Sequence, residues 1–258
     1  MLGAIVGIMA GLLGVGGGGI MVPALTAIFL AMDIPVEKVV HLALGTSMAS
    51  IIMTSIASLR AHHARGGVIW NIVKRITPSI ILGTFLATFL AAYMNSLYLA
   101  IFFSIFMAIV SIQMFLNIKP KPSRKLAGNT RLFFAGNFIG TISALVSIGG
   151  GSLTVPFLSW HNIELKKAIG TSSAIGLPIA LAGTLGYVIN GWDSQYQTSH
   201  TLGFVYLPAV VLISFVSFFT APFGAKLAHK LPVAMLKKIF ALLLIILSMK
   251  MLLSVWGN

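Results

Sequence analysis

The sequence predicts an all-α integral membrane protein made of two homologous, inverted repeats, each a glycine-broken helical hairpin followed by three transmembrane helices. Composition is the first reason. Of the 258 residues, 58% are hydrophobic and only 8% are charged, whereas about a quarter would be charged in a soluble domain. The second reason is a glycine-rich motif that occurs once in each half of the chain. The third is the confinement of lysine and arginine to a few short loops.

The apolar stretches indicate the number and length of the helices. They cover roughly residues 2–31, 39–59, 76–94, 97–118, 132–160, 168–189, 203–222 and 239–256. Stretches of about twenty residues fit one crossing of a hydrocarbon core of ~30 Å. The two longer stretches, 2–31 and 132–160, are interrupted by glycines. Residues 2–13 and 20–31 are therefore expected to form helices of about 18 Å, each half a bilayer long.

The duplication follows from sequence blocks that recur in the same order. Gly-Val-Gly-Gly-Gly-Gly-Ile-Met-Val-Pro at 14–23 is matched by Ser-Ile-Gly-Gly-Gly-Ser-Leu-Thr-Val-Pro at 147–156. Gly-Thr-Ser at 45–47 recurs at 170–172. We therefore predict a first membrane repeat at 1–118, a basic cytoplasmic linker at 119–131 and a second membrane repeat at 132–258.

The distribution of basic residues predicts the topology. If each glycine segment folds back to the side from which it entered, 15 of the 17 Lys and Arg residues lie in cytoplasmic loops. Asp33, Glu37 and Asp193 then lie outside. If each glycine segment instead crosses the membrane, the lysines of the second half lie outside, against the positive-inside rule. The first arrangement makes the repeats antiparallel. It also explains the net charge of +13 by membrane topology rather than by nucleic-acid binding.

The glycine segments form the first candidate substrate site. Glycines at membrane depth weaken helices and expose peptide groups, so they are costly unless the backbone must approach something closely. An unwound loop that leads into a half-helix presents free N–H groups and a positive dipole end, which suit an anion. The alternative is close helix packing through small residues. The residues concerned are Gly16, Gly17, Gly18, Gly19, Gly149, Gly150, Gly151 and Ser152.

The two Gly-Thr-Ser segments form the second candidate site. Their hydroxyl and N–H groups would donate hydrogen bonds to the oxygens of an anion. The alternative is that these hydroxyls satisfy carbonyls of their own helix, which is common in membranes. The residues concerned are Gly45, Thr46, Ser47, Gly170, Thr171 and Ser172. Lys250 lies within the last span but close to the chain end, so we expect its amine to reach the interface.

Several functional classes find no support in the sequence. All four acids are assigned to loops, so no buried carboxylate is available for a proton relay or a sodium cage. The chain contains no cysteine, which excludes disulfides and thiolate metal sites. It also lacks the short motifs of zinc proteases, serine hydrolases and ATP-binding loops. We therefore expect no enzymatic activity, cofactor or metal. The expected partners are a small anion and the lipid bilayer; the oligomeric state stays open.

Taken together, these motifs resemble those of the sulfite exporter TauE/SafE family of membrane proteins. The resemblance rests on Gly-Leu-Leu-Gly-Val-Gly-Gly-Gly at 11–18 with Val22-Pro23, Ser147 to Gly151 with Val155-Pro156, both Gly-Thr-Ser segments, and Pro-Phe-Gly-Ala-Lys-Leu-Ala at 222–228. It implies a secondary transporter, with export as the expected direction, for sulfite, a sulfonate or a related organic anion in the bacterial inner membrane. The alternatives are a membrane scaffold without transport activity and a sodium-coupled carrier of another small solute.

Overall fold

The computed structural model describes residues 2–13, 17–116, 128–192, 200–227 and 233–256. Gly16, Asp193 and most of the expected linker lie outside these ranges. The described residues form ten helices and one short hairpin of two strands: α1 (Leu2–Leu13), α2 (Gly18–Leu30), α3 (Val36–His63), α4 (Trp70–Tyr93), α5 (Ser96–Phe115), α6 (Asn129–Val146), α7 (Gly151–Trp160), α8 (Leu165–Asn190), β1 (Thr201–Leu202), β2 (Val205–Tyr206), α9 (Leu207–Leu227) and α10 (Val233–Trp256).

The helices confirm the predicted class, an all-α membrane protein. Among the described residues, six helices are long and apolar enough to cross a membrane: α3, α4, α5, α8, α9 and α10. α3 is the central helix, since 83% of its most apolar 18-residue stretch is buried, whereas only 33% of the corresponding stretch is buried in α5 and in α10. The outer helices instead expose large apolar side chains, as Leu86, Ile109 and Leu212 do. Such surfaces suit contact with lipid.

Each half of the chain contains a broken hairpin followed by three long helices. α1 ends at Leu13 and α2 begins at Gly18; α6 ends at Val146 and α7 begins at Gly151. Gly17 lies against Val6, two turns back along α1, so the chain reverses direction at the first glycine segment. α6 is longer than the predicted half-helix, with 18 residues.

One span begins later than the sequence predicts. The apolar stretch was expected to start at residue 203, but residues 201–206 form the β1–β2 hairpin and α9 starts at Leu207. Gly203 adopts the left-handed conformation, with φ 57°, which lets the chain turn tightly between the strands. Apolar composition alone does not distinguish this buried turn from the first residues of a helix.

The first helix of each repeat packs against a long helix of the other repeat. α1 lies along α9 of the second repeat, and α6 lies along α4 of the first. Glycines at matching positions make both contacts close: Gly3 and Gly7 on α1, and Gly136 and Gly140 on α6. A Cβ on Gly7, for example, would lie 2.7 Å from the carbonyl oxygen of Ser217. Small residues thus allow tight helix packing here, as is common in membranes.

The matching helices α3 and α8 run antiparallel through the centre of the molecule. Met48 of α3 contacts Gly183 of α8. Further along α3, the Ser58 hydroxyl donates to Ser173, which lies earlier in α8. The residue number of the contact increases along α3 while it decreases along α8. The two helices therefore run in opposite directions. The orientation of the repeats relative to a membrane stays a prediction, as do the boundaries of the two repeats.

Candidate functional site

Both glycine segments contain the same left-handed turn at the same motif position. Gly17 and Gly150 each have φ 79°, and α2 and α7 begin at the following residue. Glycine adopts this conformation without the steric cost that a Cβ imposes. The carbonyl of Gly17 accepts from Met21 at 3.1 Å, and that of Gly150 accepts from Thr154 at 2.7 Å. In the described residues, a left-handed glycine turn therefore leads directly into α2 and into α7.

The two glycine loops contact each other across the repeat interface. Gly18, the first residue of α2, lies against the carbonyl of Ser147 so closely that a Cβ on Gly18 would overlap it. Ser147 ends α6 in a left-handed conformation, with φ 48°. Its hydroxyl donates to the carbonyl of Leu44 at 2.9 Å, which ties the second loop to α3. Gly19 is also a packing position, facing the side chains of Leu244 and Met107.

The helix beginnings supply donor groups for an anion. The N–H groups of the first two residues of α2 and of α7 have no partner within their own helix, and each helix carries a partial positive charge at this end. At α7, the Oγ of Ser152 is buried without a hydrogen-bond partner among the described residues. The α7 terminus is therefore the better candidate of the two, because the Ser147 carbonyl already lies against the start of α2.

The two Gly-Thr-Ser segments join the repeats to each other. The Thr46 hydroxyl accepts a hydrogen bond from the N–H of Tyr206 at 2.9 Å. The Thr171 hydroxyl accepts one from the N–H of Ile69 at 3.0 Å. Tyr206 and Ile69 are the residues directly before α9 and α4. Each threonine therefore holds the start of a long helix in the opposite repeat.

The glycine before each threonine serves the same contact. Gly45 lies against the carbonyl of Phe204 and Gly170 against that of Gly67, with no room for a Cβ in either place. These carbonyls belong to the same connecting segments that donate to the threonines. The remaining two hydroxyls differ: Ser172 donates to Ile169 of its own helix at 2.9 Å, whereas the Oγ of Ser47 is buried without a partner among the described residues.

A small cavity between α3 and α8 contains side chains that the sequence did not single out. It offers about 10 Å³ to the centre of a water molecule, which is room for about one water. Gly149 is its single predicted site residue. Its polar lining comes from four buried hydroxyl side chains, Thr54, Ser55, Ser58 and Ser173. The signal in the sequence was the density of hydroxyl residues in α3, which recurs at 46, 47, 50, 54, 55 and 58.

Comparison with known proteins agrees with this architecture. A sequence model of the family described as Sulfite exporter TauE/SafE matches residues 1–251. A "Probable membrane transporter protein" of Haemophilus influenzae is 36% identical over 255 residues, covering 98% of this chain and 97% of that protein. Proteins of the same description from Methanocaldococcus jannaschii and Bacillus subtilis are 26% and 25% identical, over 98% and 90% of this chain and 94% and 90% of their own. No solved structure matches the chain significantly. Because the family model and the first relative both span nearly the whole chain, this multi-pass membrane protein belongs to the sulfite exporter TauE/SafE family of membrane transporters.

Proposed function

We propose that the protein is a secondary transporter that moves a small anion across the bacterial inner membrane without altering it chemically. Sulfite, a sulfonate or a related organic anion is the proposed substrate. The observation that carries this proposal is the pair of left-handed glycine turns, at Gly17 and Gly150, that open α2 and α7 where the two repeats meet. Duplicated broken helices with their N-termini at a repeat interface are the arrangement in which secondary transporters bind anionic groups.

The substrate is proposed to lie at the start of α7. The N–H groups of Gly151 and Ser152 and the unpartnered Ser152 hydroxyl would donate to its oxygens. Hydrogen bonds to a charged group contribute about 1.5–3 kcal/mol each. A few such donors suffice for an anion, and neutral donors let it leave again once the site opens.

The proposed topology has antiparallel repeats, with most basic loops in the cytoplasm. Two independent observations support it: the positive-inside distribution of Lys and Arg, and the antiparallel contacts of α3 and α8. A glycine segment that crossed the membrane once would make α3 and α8 parallel. With the cell interior negative, an anion moving outward gains about 2.3 kcal/mol per charge at 100 mV, a bias of roughly fiftyfold. Export is therefore the proposed direction.

The test is anion counterflow in proteoliposomes that contain the purified chain. Sulfite, sulfonates, carboxylates and halides are supplied as unlabelled exchange partners, and wild-type protein is expected to exchange at least one of these groups. Gly150→Val is expected to abolish exchange, because valine disfavours the left-handed conformation and Ile179 crowds this position. Gly66→Val is the matched control, since Gly66 has φ 67° but no atom within 4 Å of its would-be Cβ.

A membrane scaffold is the second candidate function. The contacts of Gly45 and Gly170 with the opposite repeat favour it, because they show that part of the duplicated motif serves packing. The same experiment separates the two functions. If a folded wild-type protein exchanges none of the anions, the transport proposal is wrong. If Gly150→Val exchanges as well as wild type, the protein is a transporter, but its glycine loops are packing devices and the proposed anion site is wrong.

A further inference from the structure

We propose that the cavity between α3 and α8 binds a monovalent cation of the size of Na⁺. The cavity lies beside Gly149, in the loop between α6 and α7. Its room for about one water molecule is too small for sulfite, which has four non-hydrogen atoms, but fits a bare sodium ion. The cavity is therefore distinct from the anion site proposed at the start of α7, although the two share a loop.

The absence of a side chain at Gly176 creates the space. The carbonyl oxygen of Gly149 lies 2.8 Å from the position that a Cβ on Gly176 would occupy. The Oγ of Ser55 lies 3.2 Å from the same position. Two oxygens from different segments thus converge on a point that any other residue at 176 would fill. Carbonyls of unwound segments are the groups that coordinate Na⁺ in other transporter folds.

Three of the four hydroxyls around the cavity, those of Thr54, Ser58 and Ser173, present lone pairs rather than protons. Ser173 donates its proton to the carbonyl of Ile169 at 3.1 Å, and Ser58 donates to the oxygen of Ser173 at 3.2 Å. The Thr54 hydroxyl lies 3.2 Å from a carbonyl one turn earlier in α3 and 2.8 Å from a serine hydroxyl of α9, so its proton is also used. A hydroxyl whose proton is used can still accept or coordinate. Only Ser55, 5% exposed, forms no hydrogen bond with a described residue.

The charge of the lining decides which ion fits. All lining residues are neutral, and the described residues contain no group of three or more His, Cys, Asp or Glu that could hold a metal ion. Calcium and magnesium sites rely on carboxylates. The end of α6, which precedes Gly149, adds a partial negative charge. Neutral oxygens near a helix C-terminus suit a single positive charge and would repel an anion.

The shared loop predicts that the two ions assist each other. The Gly149 carbonyl faces the cavity, while the N–H groups of Gly151 and Ser152 begin α7 two residues later. A cation and an anion on the two sides of one loop attract, so bound Na⁺ is expected to raise anion affinity, and the anion to raise Na⁺ affinity by the same factor. This coupling rests on the proposed function; the binding of Na⁺ does not.

The experiment measures binding of radioactive Na⁺ to the purified chain in nanodiscs, with choline holding the ionic strength constant. Wild-type protein is expected to show saturable binding that unlabelled Na⁺ displaces and choline does not. Ser55→Ala, which removes one oxygen, is expected to weaken binding roughly tenfold or more. Gly176→Ala is expected to abolish it by filling the cavity. Ser111→Ala is the matched control, because Ser111 is also buried, has no hydrogen-bond partner among the described residues and lies outside the cavity.

The outcomes separate this proposal from the transport proposal. The cation proposal is wrong if wild-type protein shows no saturable Na⁺ binding, since the cavity then holds water only. It is also wrong if Ser55→Ala binds Na⁺ as well as wild type does. If Gly176→Ala does not fold, Ser55→Ala alone decides. Anion counterflow is measured in parallel with and without Na⁺. Counterflow without Na⁺ binding would support the transport proposal and refute the cation site. Na⁺ binding without counterflow of any anion would support the cation site and refute the transport proposal.

Discussion

Replacing Thr46 or Thr171 by valine is expected to destabilise the protein by separating its two repeats. Each hydroxyl accepts one backbone N–H from the opposite repeat, at 2.9 and 3.0 Å, and both threonines are fully buried. Valine keeps the shape but removes the acceptor, which leaves the N–H of Tyr206 or Ile69 without a partner. An orphaned buried donor costs about 1–3 kcal/mol. We expect the lower half of this range, because Tyr206 and Ile69 are only half-buried.

The two contacts are far enough apart for their effects to add. Thr171 lies two residues before Ser173, which bonds to Ser58 of α3. Ser58 follows Thr46 by twelve residues in the same helix, which corresponds to about 18 Å. Changes at independent sites this far apart usually add. The double variant is therefore expected to lose about twice the free energy of unfolding that either single variant loses.

The assay is thermal unfolding of the purified variants in nanodiscs, followed by anion affinity at a temperature where all are folded. A loss of 1 kcal/mol lowers the melting temperature by about 2–4 °C in a chain of this size. Thr46→Ser and Thr171→Ser, which keep the hydroxyl, should recover most of the loss. The reasoning fails if both valine variants melt like wild type while anion affinity falls ten- to a hundredfold. Those hydroxyls would then bind the substrate, as the sequence hypothesis has it.

Three further predictions concern the loops, the last helix and the topology. Gly17→Ala and Gly150→Ala should each cost about 1–2 kcal/mol in left-handed strain, plus crowding that the exposed turn at residue 66 lacks; equal melting of alanine variants at all three positions would show that the loops are not crowded. Lys250→Gln should leave anion affinity unchanged, because this side chain is exposed on α10; a severe defect would place a side-chain cation in the site. A reporter fused at Asp193 should be periplasmic and one at Lys121 cytoplasmic; the same side for both would refute antiparallel repeats.

Local signals in the sequence were sufficient to locate the helix breaks. A run of glycines costs helix stability at every position, and Gly17 and Gly150 occupy a conformation that few other residues adopt without strain. The break therefore falls within a residue or two of the motif: α2 begins at Gly18 where residue 20 was expected. The late start of α9 was not predictable in this way, because Phe204 and Val205 are as apolar in a buried turn as in a helix.

The partners of the hydroxyl groups were not predictable. Thr46 and Tyr206 are 160 residues apart, and nothing in the local sequence indicates which donor a buried threonine meets. Local reasoning predicts that a helical hydroxyl donates to a backbone carbonyl one turn earlier, and this is correct for Ser50. It misses contacts that form only when two repeats pack. The same limitation concealed the cavity, whose lining comes from α1, α3, α8 and the second glycine loop.

The duplication also distinguishes packing positions from the candidate ion site. Matching positions of the two repeats, such as Gly45 and Gly170, are 125 residues apart here. By this shift Ser58 corresponds to Gly183 and Ser173 to Met48, so the Ser58–Ser173 contact and the Gly183–Met48 contact are equivalent. Contacts in which the same residue types meet twice, such as those of the two threonines, lie away from the centre of this exchange and can be assigned to assembly. At the centre, near residues 53 and 178, each repeat contributes different side chains to one place. The Ser55–Gly176 cavity lies there, and its lining is not duplicated, as expected of a site that binds one small ion between two copies of a unit.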